Sequence, residues 1–462
     1  MAVGLIAVLT AIVLSIILYK PISNFVIKNT GLDKKIENVI IENFSAETKD
    51  GQEVKYVGLI DYLQKYVDDA VTKTQNEIVY ETANTLAVKV INVVVFLTKE
   101  FNKDDITYGG MLSSNLVYTS KKYNTKNKIA IIGEELYGAN ITASFGISGN
   151  AESFIFSLEF LNPKYTEDKY MNDTLDFLCE VLFNPNVKDN KFDETYFNLI
   201  KKDVITKCKS VKDNPGLYAS IEYAKIMYNG TPSSYSTIPN IEEVEKVTPE
   251  KLYKKYAELF NGNYKIDIVI NGEIDDKIIG IIENKFKNVK GSNKKLSFKI
   301  EHTYDKKVIE KVDTLPFNQS KLYVGYRLND LTYHELNHVL RVYNAILGTM
   351  NDSLLFNIVR EEHSLCYTVG SYYSKYNPSL TIYAGINKVN YEESVKLIKE
   401  CVNLMSDKAT VERLFDSSLK TINTYLNNYY DDYTIVKEAK AQQLFNELNN
   451  IHDKTAYSRP LN

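Results

Sequence analysis

Histidine is scarce in this 462-residue chain: there are five, His302, His334, His338, His363 and His452, and none precedes residue 302. A histidine-ligated metal site is therefore excluded from the first 301 residues. Cysteine is sparser still. Cys179, Cys208, Cys366 and Cys401 stand far apart with no Cys-x-x-Cys pair, which excludes a disulfide scaffold or zinc ribbon and reads as buried free thiols in a reducing compartment. Tryptophan is absent, and a net charge of −4 without a basic tract argues against nucleic acid as a partner. What is present is ordinary globular composition, 44% hydrophobic and 25% charged. This rules out disorder or a fibrous repeat for most of the chain, and the length predicts two or three domains.

Val3 to Tyr19 (VGLIAVLTAIVLSIILY) is an uncharged apolar run that as a helix would span roughly 25 Å, enough for a thin hydrocarbon core. No basic residue precedes it, whereas Lys20, Lys28, Lys34 and Lys35 follow it. The pattern favours a retained single-pass anchor over a cleaved signal and places the remaining chain on the cytoplasmic side. A second stretch, Leu86–Leu97 (LAVKVINVVVFL), is too short to span and is expected to be an interfacial helix or a buried element. GLIDYLQKYVDDAVTK between them has helical spacing. The whole, YKPISNFVIKNTGLDKKI through ETANTLAVKVINVVVF, resembles the colicin V production (CvpA-like) membrane proteins over residues 3–96. A generic anchor with a helical stalk is the alternative.

From Thr98 the punctuation changes. ASFGISG, SFIFSLEFL and NYKIDIVINGEID alternate as strands do, while MNDTLDFLCEVLFN and ETYFNLIKKDVITKCKSV carry helical periodicity. A similar order follows residue 300: QSKLYVGYRL as strand, TYHELNHVLRVYNAILGT and SLLFNIVREEH as helices, CYTVGSYYS and SLTIYAGI as paired strands, YEESVKLIKECVNLMS as helix. This recurrence predicts an internal duplication. The basic, Gly/Ser-containing segment at residues 287–302 is expected to link the units, giving an anchor and stalk over 1–97, a first domain over 98–286 and a second over 303–462.

GEELYGANITASFGISGN, FLCEVLFNP and KDNPGLYA, followed by LYVGYRL, VYNAILG, SLLFNIVREEHSLCYTVGSYYS and LTIYAGI, resemble the insulinase/pitrilysin metallopeptidases, whose architecture includes the mitochondrial processing peptidase subunits. The resemblance covers about residues 98–440. It implies an α+β protein of two homologous domains, each a largely antiparallel sheet backed by helices, with the first strand of the first domain missing. The family's zinc motif, His-x-x-Glu-His, would fall near Gly110, Ser113 and Ser114, and its distal glutamate near Lys207 or Cys208. None of these can supply the site, so zinc is expected only in a partner subunit. The family's substrate-holding arginine and tyrosine do have counterparts in VREEHSLCY: Arg360 and Tyr367. Both can donate to a carbonyl oxygen as it becomes an oxyanion.

His334-Glu335-Leu336-Asn337-His338 literally matches the zincin motif. On a helix the two imidazoles share a face, Glu335 could serve as general base, and Glu361 or Glu362 could be a third ligand. The rival reading is a packing face continued by Leu340, Tyr343 and Leu347. The expectation is a noncatalytic, membrane-tethered insulinase-like subunit that binds a peptide and supports a zinc-bearing partner. The alternatives are a non-enzymatic peptide-binding scaffold and a zincin acting through His334, Glu335 and His338.

Overall fold

A computed structural model describes residues 90–427, apart from 273, 299, 301–306, 329–330 and 333–334. The expected anchor at residues 3–19 and the stalk lie outside the described residues. Among the described residues no helix is long and apolar enough to cross a membrane. These residues form two compact units, with the chain dividing between residues 310 and 311.

The first unit is built on a four-stranded antiparallel sheet in the order β2-β3-β1-β6. Its central strand is β1, Val90–Glu100. Of the two readings of Leu86–Leu97, the described part from Val90 is the buried element and not an interfacial helix, and it supplies the first strand that the sequence reading had missing. The domain therefore begins ahead of residue 98. The physical reason is burial on both faces. Ile91 to Leu97 are all under a tenth exposed, so the strand shows no alternation, and its density of valine and isoleucine is the strand signal instead.

Two helices, α1 (Asp105–Tyr118) and α2 (Lys126–Glu135), lead to the hairpin of β2 (Asn140–Ser148) and β3 (Ala151–Leu161). β3 pairs with β1 along its whole length, from Val90 opposite Leu161 to Glu100 opposite Ala151. Then come α3 (Tyr170–Phe183), the short hairpin β4–β5 (Val187–Lys188, Lys191–Phe192), α4 (Glu194–Lys209), α5 (Pro215–Met227), α6 (Ile241–Glu245) and α7 (Pro249–Leu259). β6 (Lys265–Asn271) closes the other edge of β1, and α8 (Asp276–Phe286) follows. Side-chain caps set the helix starts: Asp193 accepts from the Tyr196 amide, Asn214 from Leu217, Thr248 from Lys251 and Asp275 from Ile278. Phe154, Phe156, Phe160, Leu158, Tyr170 and Tyr264 are among the fully buried groups of the core.

The expected linker is part of this unit. Asn261 bridges Lys290, and the Ser292 amide donates to the Tyr264 carbonyl at 2.7 Å. Leu296, Phe298 and Ile300 are buried. The Asn150 amide donates to the Phe298 carbonyl at 3.2 Å. Gly149 sits at φ +57°, and a Cβ there would lie 1.8 Å from that same carbonyl oxygen, so only glycine admits the close approach. The exposed stretch is further on, where Val308 and Val312 are 90% and 77% exposed.

The second unit carries a three-stranded antiparallel sheet, β7 (Ser320–Arg327), β9 (Ser379–Ile386) and β8 (Cys366–Ser374), ordered β7-β9-β8. Strand, helices and antiparallel hairpin recur as in β1 to β3, as the predicted duplication requires. The helices between β7 and β8 are wider than the sequence implies. Glu335–Val339, Ala345–Thr349 and Leu355–Glu362 are π-helical, and Leu340–Asn344 (α9) is α-helical. Asn344 ties this region together, donating to Thr349 Oγ1 at 2.7 Å while its own Oδ1 accepts from Ser371 of β8 at 2.7 Å. α10 (Tyr391–Leu404) and α11 (Lys408–Asn427) complete the unit, with Ile382, Ile398, Leu355 and Cys401 at its core.

Candidate functional site

The helices expected to bear a zinc centre are neighbours: α1 packs against α4. What they present there is not a metal shell. Gly110 and Ser114 are half-buried, while Ser113 is buried with no hydrogen-bond partner for its Oγ. The Asn115 side chain folds back to donate to the Met111 carbonyl at 2.8 Å. Beneath the helix, a Cβ on Gly109 would lie 2.3 Å from Phe145 of β2, and Phe145 meets Phe154 edge-on at 5.1 Å. On α4, Lys207 is exposed, and Cys208 donates to the Pro239 carbonyl at 3.3 Å. Burial pushes the Cys208 thiol up, despite the opposing charge of Lys207, so it stays protonated. Without an imidazole or carboxylate at these positions, the donor set does not fit zinc.

Arg360 and Tyr367 flank one turn of the second unit. Arg360 lies on the π-helix Leu355–Glu362, its guanidinium 4.5 Å over the Phe356 ring and 3.3 Å from Glu361. The chain then turns through Ser364 at φ +53°, and Tyr367 stands 82% exposed at the irregular register step between Cys366 and Thr368. Both side chains are accessible from solvent, as substrate-contacting groups must be. Among the described residues of the first unit, β2 has a strand neighbour on one side only, and such an edge offers backbone groups to an extended peptide.

The zincin-like pentapeptide is only partly described, because His334 lies outside the described residues. Glu335 is engaged in helix initiation. Its Oε2 accepts from the Thr332 amide and hydroxyl, both at 2.8 Å, and Thr332 Oγ1 accepts from the Glu335 amide at 3.2 Å. This is a reciprocal capping box, and it occupies the carboxylate a zincin would use as base. Leu336 and Leu340 are buried, as the packing-face reading required. Glu361 and Glu362 are exposed at the end of the next helix.

Residues 246–416 match the family model described as the peptidase M16 inactive domain. The chain is 26% identical over 326 residues to the probable inactive metalloprotease YmfF of Bacillus subtilis, covering 69% of this chain and 75% of that protein. The chain is a homologue of the M16 peptidases. Solved structures with the same fold include a conserved protein from Enterococcus faecalis, with a TM-score of 0.69 and 22% identity over 81% of this chain and 87% of that one. The peptidase M16 inactive domain from Pseudomonas fluorescens matches with a TM-score of 0.56 and 16% identity, covering 80% and 92%. The insulinase-like resemblance therefore holds for this M16 homologue, and the chain carries no histidine before residue 302 from which the family's zinc motif could be built. The CvpA-like resemblance is unsupported. Of residues 3–96 only 90–96 are described, and they belong to β1.

One constellation of this M16 homologue was missed by sequence reasoning. Asp105 at the start of α1, Glu152 at the start of β3, Lys99 of β1, Lys255 and Glu258 of α7, and Tyr264 ahead of β6 converge in the first unit. Lys99 Nζ lies 2.5 Å from Asp105 and 3.5 Å from Glu152, and Lys255 Nζ lies 2.6 Å from Asp105 and 2.8 Å from Glu258. The Asn102 amide donates to Glu152 at 2.9 Å, and Lys99 stands 4.9 Å over the Tyr264 ring. Burial, then the hydrogen bond with Asp105, pushes Glu152 up to about 8. Burial also works against the Asp105 carboxylate, but hydrogen bonds from Glu152, Lys255 and Lys99 outweigh it and hold Asp105 low. No sequence signal joins these residues, which stand far apart and meet only through the topology.

Proposed function

We propose that the chain is a noncatalytic subunit of an M16-type zinc peptidase. It binds an extended peptide and supports a zinc-bearing partner, with residues 3–19 tethering it to a membrane and its domains on the cytoplasmic side. The observation that carries this reading is the pairing of an M16 scaffold lacking zinc donors on α1 and α4 with an exposed Arg360 and Tyr367. A guanidinium and a phenol can hold a peptide carbonyl for a metal centre contributed in trans. The single-sided strand β2 adds a backbone edge against which the peptide can extend.

The test begins with the full chain, purified without chelators and assayed for zinc and for peptide cleavage by itself. The expected result is well below one zinc per chain and no cleavage. An M16 zinc peptidase from the same organism is then added. Cleavage should rise with the wild-type chain and fall by about 100-fold or more with Arg360→Ala, the scale of one lost oxyanion donor. About one zinc per chain together with cleavage by the chain alone, both lost in His338→Ala, would overturn the reading in favour of a zincin. Peptide binding with no effect on any peptidase would instead favour the non-enzymatic scaffold, a reading also supported by the open β2 edge.

A further inference from the structure

The carboxylates of the first unit's cluster are unevenly paired. Three carboxylates, Asp105, Glu152 and Glu258, share two ammonium groups, Lys99 and Lys255. The Tyr264 phenol adds no compensating charge, because burial and then the nearby Glu152 and Asp105 carboxylates drive its ionisation upward. Asp105 has a lysine nitrogen within 2.6 Å of each oxygen, and Glu258 has one at 2.8 Å. Glu152 has none nearer than 3.5 Å, and its side chain is fully buried. Glu258 is a third exposed and keeps its charge within reach of water, whereas Glu152 is fully buried, farthest from a cation, and shares Lys99 with an adjacent carboxylate that holds it more closely. Such a site takes up a proton rather than hold the charge.

We propose that Asp105 and Glu152 share one proton, and that this proton is a latch fastening the first turn of α1 to the β2–β3 hairpin and to α7. The elements it joins are otherwise separate in the chain. Asp105 opens α1, Glu152 follows the Gly149–Asn150 turn, Lys255 and Glu258 belong to α7, Lys99 ends β1 and Tyr264 precedes β6. The Asn102 amide binds the remaining Glu152 oxygen, so the loop ahead of α1 is held by the same carboxyl. Opening the latch exposes Glu152 to water, where it ionises as an ordinary glutamate with a pKa near 4.5. Opening therefore releases a proton whenever the pH lies between that value and the raised one near 8. The opening equilibrium should grow about tenfold per pH unit through this window and level off above it.

The test uses the full chain and two readouts. Infrared spectra should show the carbonyl stretch of a protonated carboxyl at pH 7, absent in Glu152→Gln and lost from the wild type with a midpoint near 8. Amide hydrogen exchange, corrected for intrinsic rates, should show opening of peptides covering 101–109 and 148–153 rising about 50-fold from pH 6 to 8 and levelling off beyond. In Glu152→Gln, which keeps the hydrogen-bonding shape without the titration, the same peptides should show no pH dependence. The infrared measurement needs no variant, so it stands if Glu152→Gln fails to fold. Absence of a protonated carboxyl in the wild type at pH 7 would overturn the proposal, as would an unchanged exchange profile in Glu152→Gln.

Discussion

Phe298→Ala separates a structural segment from a linker more sharply than any change in the helices. Phe298 is 3% exposed within a stretch whose composition reads as a tether, and its carbonyl receives the Asn150 amide at 3.2 Å across the Gly149 contact. Truncating a buried phenylalanine removes the transfer energy of its ring and leaves a cavity, together about 3–5 kcal/mol. With a urea m-value of about 2–3 kcal/mol/M for a unit of this size, the midpoint should fall by roughly 1–2 M. Because the chain has two units, the transition is best followed by hydrogen exchange of β1 and β3 peptides rather than by a global signal. Val312→Ala, at a side chain 77% exposed, is the control and should shift the midpoint by less than about 0.3 M. If Phe298→Ala proved no worse than Val312→Ala, the segment would be a tether after all and the assignment of residues 287–300 to the first unit would be wrong.

Two further outcomes follow from the second unit and the thiols. Gly348→Ala should destabilise the β8 region by about 2 kcal/mol or more, because the added Cβ would stand 2.5 Å from Ser371 Oγ and 2.7 Å from Leu355. Exchange of residues 366–374 would report this, and native-like protection would show that the close packing there is not real. Burial pushes Cys179 up to about 11 and Cys401 up to about 12, so both remain thiols at pH 8. Neither should be alkylated by iodoacetamide in native protein, and both should react once urea unfolds it. Labelling of native Cys401 at pH 8 would contradict its place in the core.

The sequence carried much of this fold for a definite reason. β2 alternates between exposed and half-buried positions, while β3, β7 and β9 lie beside clear turns, so their boundaries were legible from alternation or from punctuation. β1 escaped because a strand covered on both faces loses that alternation, and Leu86–Leu97 could not be told from a buried helix by periodicity. The segment 287–302 misled through its lysines, glycine and serines. Yet Leu296, Phe298 and Ile300 already alternate, and that was the usable signal. The π-helical turns had no marker at all, since the residues at Leu355–Glu362 satisfy α-helical spacing equally well. For the candidate site, the missing zinc donors and the Arg360–Tyr367 spacing were readable from residue identity alone. Asp105, Glu152 and Lys255 were not, because nothing local distinguishes a buried lysine or glutamate before the sheet brings them together.

The Thr332–Glu335 capping box bears on how metalloenzymes are recognised. A threonine followed three places later by glutamate is favoured wherever a helix must start, for reasons of backbone hydrogen bonding alone. A histidine just before that glutamate and another three places after it then complete a metal-binding signature by coincidence of helix grammar. Text matches that place the glutamate at the third helical position behind a hydroxyl residue are thus intrinsically ambiguous. The donors that such a carboxylate already serves then weigh against the metal reading before any zinc is measured.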